Sequence, residues 1–471
     1  MSKYFLIILF FIFNLQLLCV AQTDTTHQIP TVMIRTYRIT PAATEQYIDS
    51  LSKLEFATKG LHQLLEYRSN VLVKNYGVSS LSTISIRGSS AAQTSVKWQG
   101  LNINNAMTGI TDFSNLPVGL FDDIRVHYGD HPSQRSLSGS IDLENKIPLA
   151  NKPYSGRLLY SFESTGNHTF GLQQSFHIGK IANTFKLFFA NEQNKFTYYN
   201  SIRDSMQTLE HAYRKSMHVM NDFYYQYNSK LSVSWHTWFS SMQREIPAAK
   251  FEIHSNKVED IQSMRSILKC KYRKNDFYQL ESSLGFVQEN YHYQDTDVNI
   301  NTHANVTQVP FQCLASLHFP KQQTLQVELL SSYSFLHSQN QHELTKAGLQ
   351  LNYEKSFFTY RLALKTYVQK EVSNLFKIPL SIGLQAVYRL PFQTDLYATL
   401  SQTNRTPTLN ELYYNPGGNK NLLPEKSNNL EVGTRIHYTK LRTKLNAEIS
   451  GFNRLVSNWI VWYGNSILTP H

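Results

Sequence analysis

The sequence predicts a mainly β chain: a transmembrane antiparallel β-barrel with a small α+β domain ahead of it. Three observations point there. An apolar leader directs the chain out of the cytoplasm. After it, no stretch approaches the roughly 20 apolar residues that a membrane helix needs. The rest of the chain is instead a long series of alternating apolar and polar runs, rich in Tyr and Phe. Hydrophobic content is only 41%, yet aromatic content is 13%, with 28 Tyr and 27 Phe. A strand barrel reconciles these values, because its outer face is apolar while its lumen is polar. A soluble β-sandwich is the rival class, but these strands are too many and too long for one.

The leader has the parts of an export signal. Lys3 gives the positive charge, Phe5 to Phe13 is an unbroken apolar run, and Leu15, Leu17 and Leu18 continue it. Cys19-Val20-Ala21 places small residues where a signal peptidase reads, so residues 1–21 are predicted to be removed after Ala21. The run is short for an uncleaved anchor. Leu18 stands where a lipid attachment site at Cys19 calls for a small residue. Two cysteines remain, Cys270 and Cys313, in separate predicted strands; a bridge between neighbouring strands and two free thiols both fit. Net charge is +11. The basic residues are scattered among Tyr, Ser and Asn with no basic helix or patch. That pattern fits anionic headgroups or an acidic ligand, and not a nucleic acid.

Residues 22–46 are polar and loosely patterned, apart from one β-prone island, Ile29-Pro30-Thr31-Val32-Met33-Ile34-Arg35. Such an island can be donated as an extra strand to a partner's sheet edge. From Tyr47 to Arg68 the spacing of Ile48, Leu51, Leu54, Leu61, Leu64 and Leu65 is helical, interrupted at Gly60. Val71-Leu72-Val73 reads as a strand and Asn75-Tyr76-Gly77 as a turn. Leu81 to Asn105 reads as a hairpin-like unit: a strand to Arg87, a small-residue turn from Gly88 to Ala92, and a second strand from Thr94 to Trp98. Ile124 to Tyr128 and Ser138 to Leu143 are further strands. Residues 47–146 thus form one compact α+β domain.

Beyond Pro148 the texture changes. Leu231, Val233, Trp235, Thr237 and Phe239 alternate with Ser232, Ser234, His236, Trp238 and Ser240. Leu158 to Phe162, Phe185 to Phe189, Leu325 to Phe335, Leu362 to Val368, Leu396 to Leu400 and Leu430 to Tyr438 repeat the pattern. Each run suits a tilted spanning strand of about 9–11 residues. Polar insertions at 194–217 and 289–306 suit the longer external loops of a barrel.

Several motifs together resemble TonB-dependent outer-membrane receptors, most closely the cobalamin-receptor-like branch. Leu61-His62-Gln63-Leu64-Leu65, Val71 to Gly77, Ser85-Ile86-Arg87-Gly88 and Val96 to Asn105 resemble the plug domain of that family. Far downstream, Asn404-Arg405-Thr406-Pro407-Thr408-Leu409-Asn410-Glu411-Leu412-Tyr413, Gly418 to Ser427 and Leu430-Glu431-Val432-Gly433 are similar to its barrel signature. Arg244-Glu245-Ile246-Pro247 is similar to a loop of the same branch. The resemblance implies a monomeric barrel of about 22 strands with the small domain lodged in its lumen, over residues 147–471. It implies that Ile29, Thr31, Val32, Met33 and Ile34 belong to a TonB box that pairs with the periplasmic protein TonB. It also implies uptake of a scarce large ligand, a cobalamin or related corrinoid first and a ferric siderophore next. The alternative class is a surface-binding or adhesin-type barrel that does not transport.

The sequence departs from the family pattern in several places. Pro132 to Ser140 stands where plugs carry a Gly-rich end, Tyr128 where an Arg is usual, and Trp98-Gln99 where Ile-Asp or similar is common. The roughly 325 residues after the plug fall short of a full barrel at about 10 residues per strand plus connections, so the barrel is expected to be C-terminally truncated, the alternative being an unusually small barrel.

The resemblance pairs Arg87 with acidic residues of the barrel wall. Glu431 independently alternates with Leu430 and Val432, which sets it toward the lumen as the partner in a plug–barrel latch. Ser89, Ser90, Asn104 and Asn105 are the ligand-contact candidates at the plug apex. His127 and His131 are four apart, but they flank Gly129 in a turn rather than a helix, so no metal site is expected. No nucleophile elbow, metalloprotease helix, phosphate loop or cysteine cluster is present. Neither a cofactor nor an enzymatic activity is therefore expected.

Overall fold

In the computed structural model the described residues are 45–129, 136–338, 340–358, 361–391, 393–415, 417–440, 443–463 and 469–470. The export signal, the Ile29–Arg35 island and His131 lie outside them. The small domain begins with β1 (Glu45–Tyr47), α1 (Ser50–Glu55) and α2 (Leu61–Arg68). The two helices are separate because Gly60 ends the pattern and caps α2. Asp49 caps α1, accepting from Ser52 N at 2.9 Å and Ser52 Oγ at 2.6 Å, which satisfies an otherwise orphaned helix-start donor. Leu61, Leu64 and Leu65 are fully buried. Leu51 and Leu54 are exposed, so the apolar face expected along both helices holds only in α2.

The strands β2 (Leu72–Asn75), β3 (Ser82–Ser85), β4 (Thr94–Trp98), β5 (Leu101–Asn102), β6 (Asp123–Tyr128) and β7 (Gly139–Glu144) complete the domain. One sheet runs β1-β6-β7-β4-β5, and β2 pairs with β3 apart from it. The hairpin reading of Leu81 to Asn105 is therefore corrected. β3 pairs back onto β2, whereas β4 pairs in parallel with β7, Thr94 opposite Gly139. The first strand also stops at Ser85, and all four of its residues are buried, so it has no solvent face.

The wall is a single antiparallel meander. Its strands are β8 (Tyr154–Glu163), β9 (Asn167–Ile178), β10 (Ile181–Glu192), β13 (Arg214–Gln226), β14 (Leu231–Ile246), β15 (Lys257–Arg273), β16 (Tyr278–Asp295), β17 (Ile300–Phe319), β18 (Gln323–His337), β19 (Gln341–Phe357), β20 (Leu362–Ser373), β21 (Ser381–Leu390), β22 (Thr394–Arg405), β23 (Glu425–Lys440) and β24 (Thr443–Ser457). Each pairs with its neighbours in this order, with β8 and β24 at the two ends of the fifteen-stranded sheet. A small hairpin, β11 (Thr197–Asn200) with β12 (Ser205–Thr208), rises from the β10–β13 connection, and α3 (Leu409–Tyr413) lies between β22 and β23. Connections at one rim span two to four residues, such as 179–180 and 227–230. At the other rim they reach 193–213 and 406–424. Short periplasmic turns and longer extracellular loops have this asymmetry.

Two loop expectations are corrected. Residues 289–306 are not a loop, because β16 and β17 continue through them around a turn at 296–299. Their polar composition reflects strands that extend beyond an apolar belt. Likewise Arg244 to Ile246 end β14. Cys270 and Cys313 are free thiols, each opposite Ser282 in the ladder.

The wall alternates as a barrel strand must. Along β14, Trp235 and Phe239 are exposed, while His236, Trp238, Ser240, Met242 and Arg244 are buried. The buried face meets the small domain, and one hydrophobic core spans both. Ile84, Val96, Trp98, Phe121 and Ile141 of the plug join Phe188, Met220, Trp238 and Ile267 of the wall. Trp98 and Phe121 meet Trp238 edge-on at 5.4 and 5.7 Å, a favoured aromatic geometry. Each large apolar side chain buried here contributes about 1.5–3 kcal/mol. Among the described residues no helix is long and apolar enough to cross a membrane.

Candidate functional site

The chain turns sharply after β3. Arg87 adopts φ 51 and Gly88 φ 74, a left-handed conformation uncommon for a residue with a side chain. The turn aims the Arg87 guanidinium at the wall. Its Nη1 donates to Glu431 Oε2 at 2.7 Å and its Nη2 to Oε1 at 2.6 Å. This is the bidentate fork that Arg makes with a carboxylate. Both side chains are largely buried, 13% and 6% exposed. The flanking residues Leu430 and Val432 are exposed on the outer face. Phe452 of β24 stacks on the guanidinium at 4.8 Å, and Arg454 Nη2 donates to the Arg87 carbonyl at 2.7 Å. Gly129 follows β6 at this point with φ +84. A Cβ there would lie 2.7 Å from both Arg87 Nη1 and Glu431 Oε2, so the ion pair occupies the space a side chain would need.

Further polar ties join plug to wall. Asp112 Oδ1 accepts from the backbone N–H of Ser82 and of Ser114, and Oδ2 accepts from Arg244 Nη1 at 2.8 Å. Lys186, almost fully buried, donates to Asp122 Oδ1 at 2.8 Å and Leu120 O at 2.9 Å. Asn145 Nδ2 donates at 2.6 Å to Asp222, which His236 also meets at 2.6 Å. On the far side, Gln93 Nε2 donates at 3.0 Å to Glu425, which Arg405 bridges to Glu411. The motifs and spacings of the sequence single out few of these groups. A signal is nonetheless present: Lys186, His236 and Trp238 sit on the polar face of otherwise apolar strands. Thr408 and Glu411 also show the spacing of a capping box, which the structure contains at the start of α3.

Burial alone would raise the Asp122 carboxyl. The Lys186 ammonium beside it, with hydrogen bonds from Lys186 and the Lys146 N–H, outweighs that and holds it below the ordinary value. Asp142 on β7 is likewise pushed up by burial but pulled further down, to about 2, by the His127 hydrogen bond and the charges of Lys97, His127 and Arg125. His127 serves this carboxylate at 3.1 Å.

Above the plug, at the rim with the long connections, lies a cavity of about 920 Å³. Asn105 lines it. Its Nδ2 donates to Glu289 of the wall, while its Oδ1 accepts from Met107 N and Thr108 N. Asn104 turns instead into the plug, bonding the backbone of Thr94, Val96 and Gly109, and borders a smaller gap of about 300 Å³ along β4 and β5. Ser89 and Ser90 line neither space. Ser89 Oγ accepts from Ile86 N at 3.2 Å inside the turn, and Ser90 N donates to Gln93 Oε1. Of the four apex candidates, the structure thus brings only Asn105 to the large cavity. Among the described residues no group of three or more His, Cys, Asp or Glu is placed to hold a metal ion.

Residues 98–469 match the family model described as TonB dependent receptor-like, beta-barrel. The fold is similar to the hemophore receptor HasR of Serratia marcescens, solved as a double mutant with its hemophore HasA and heme, at 12% identity and TM-score 0.74, covering 90% of this chain and 74% of that one. It is similar to the FrpB iron transporter from Neisseria meningitidis at 11% identity and TM-score 0.75, covering 91% and 75%. The ferric enterobactin receptor PfeA from Pseudomonas aeruginosa gives 14% and 0.73, covering 90% and 73%. At such identities the likeness is one of fold. No curated protein matches the chain.

Proposed function

The chain belongs to the TonB-dependent receptor-like β-barrel family of the outer membrane, and from that premise we propose that it is an energy-coupled importer of a scarce, large ligand. A corrinoid such as cobalamin is the first cargo and a ferric siderophore the second. The reading rests chiefly on one observation: the plug packs against the inner face of the wall and is tied to it by ion pairs and hydrogen bonds, among them the enclosed bidentate fork of Arg87 and Glu431.

Such a pair makes a switch more readily than a cement. The desolvation of two charges nearly cancels their attraction, yet removing one partner is costly. A plug held this way sits in one position until work is done on it. Ligand binds from the long-loop rim, above the plug apex. TonB pairs with the Ile29–Arg35 island by strand addition and pulls, the ties on one side of the plug part, and cargo passes along the wall. No covalent bond is made or broken.

Deleting residues 29–35 tests this. Ligand binding to intact cells should be unchanged, and energy-dependent uptake should vanish. Uptake at the wild-type rate after the deletion would sink the proposal.

A further inference from the structure

The charges lining the 920 Å³ cavity are already matched to one another. They are Asp112, Arg244, Glu259, Arg265 and Glu289. Arg244 pairs with Asp112 at 2.8 Å and also with Glu259; Arg265 pairs with Glu289 and lies 4.7 Å from the Trp238 ring centroid. The set carries one more carboxylate than guanidinium. Asp112 and Glu289 have second duties, since Asp112 fixes the plug backbone and Glu289 holds Asn105. Freeing either Arg for a ligand would strand a carboxylate.

The rest of the lining is aromatic and amide-bearing. Tyr76, Tyr291, Tyr293, Tyr413 and Tyr414 face it, among several asparagines. At its rim His342 of β19 and Tyr413 of α3 stack with centroids 3.7 Å apart and planes within 5°. Neither ring is fully buried. Lys420 stands 5.7 Å from the Tyr413 centroid, so its charge is directed at a π face.

We infer that this cavity takes an uncharged ligand with a flat ring face and an amide- or hydroxyl-rich edge, and that it turns away polyanionic ferric complexes. The inference rests on the importer reading and narrows its cargo. A polyanion meets guanidiniums that are already matched and, among the described lining residues, an excess of carboxylate; Lys420 stands at the rim rather than in the lining, so most of the polyanion's desolvation goes uncompensated. An uncharged ligand stacks on the His342–Tyr413 pair while tyrosine hydroxyls and asparagine amides bond its edge. The volume is ordinary for a small-molecule site.

Two sources offer this chemistry, a corrinoid and an oligosaccharide. Full-length protein in detergent is titrated calorimetrically with cyanocobalamin, maltohexaose and ferric enterobactin, at about 0.05 and about 0.5 M NaCl to separate charge-driven binding. One uncharged probe should bind, with an affinity that salt changes less than about two-fold, and ferric enterobactin should be silent at about 100 µM. Which uncharged probe binds identifies the source. Tyr413→Ala and His342→Ala should each weaken it about ten-fold, and Tyr413→Phe, which keeps the ring and loses only the hydroxyl, should weaken it less than Tyr413→Ala. Tight binding of ferric enterobactin, unweakened alanine variants, or silence of both uncharged probes overturns the inference. If ferric enterobactin binds and its uptake needs residues 29–35, the importer reading survives and this one falls. If an uncharged probe binds but no uptake depends on those residues, the reverse holds.

Discussion

Replacing Arg87 by Ala removes both arms of the fork to Glu431, a carboxylate only 6% exposed in the intact pair, and the nearby Tyr397 hydroxyl, 3.4 Å away, donates at 2.7 Å to Glu448 instead. Breaking a buried pair from one side costs about 3–5 kcal/mol. Loss of the Phe452 contact adds about 0.5–2 kcal/mol. Water entering the vacated space offsets part of this, so about 3 kcal/mol of plug docking is expected to be lost. That is roughly a hundred-fold rise in the undocked population. The assay is hydrogen exchange of residues 82–98 in the detergent-solubilised protein, with limited proteolysis beside it. Exchange there should accelerate by about two orders of magnitude while the wall strands keep their protection. Glu431→Ala should do the same, and the double variant should cost less than the sum of the two. Wild-type protection in Arg87→Ala, or strict additivity, would refute the reasoning.

Gly129→Ala should disturb the same fork, because the new Cβ falls 2.7 Å from both partners at a φ of +84; faster exchange at Arg87 and Gly88 checks it. Trp238→Ala removes the wall side chain that Trp98 and Phe121 meet and should cost about 3–5 kcal/mol, read as a lower denaturant midpoint for the plug. Asp142 has its carboxyl depressed to about 2. The stability it contributes is fully present above the unfolded-state value near 3.9. It is lost as pH falls from about 4 toward 2, so plug protection should drop across that window, and Asp142→Asn should flatten the drop.

The wall was legible because a strand exposed to lipid on one side and lumen on the other must alternate, and one residue of slip would invert every face. That logic also singled out Glu431 between Leu430 and Val432. Arg87 stood out through the family motif alone; its left-handed turn has no sequence signature, since that conformation is usually marked by Gly or Asn. The plug's pairing was not legible either. β4 finds its partner β7 through a non-local parallel register, and local alternation on either side of a small-residue turn mimics a hairpin. Residues 289–306 misled for a different reason. Strands that rise above the apolar belt carry polar residues on both faces and read as loop. The charges that tie plug to wall, such as Lys186 and Asp122, are visible one by one, but their pairing depends on which wall strand the plug meets.

The central claim is that the plug must part from the wall for cargo to pass. Gln93 on the plug and Glu425 on the wall touch at 3.0 Å. With Cys270 and Cys313 replaced by Ser, the pair Gln93→Cys and Glu425→Cys can be joined in cells by a short bismaleimide. Energy-dependent uptake is then compared between joined and unjoined protein, with ligand binding as the control. Joined protein should bind ligand normally and transport none, and uptake undiminished by the cross-link would contradict the claim.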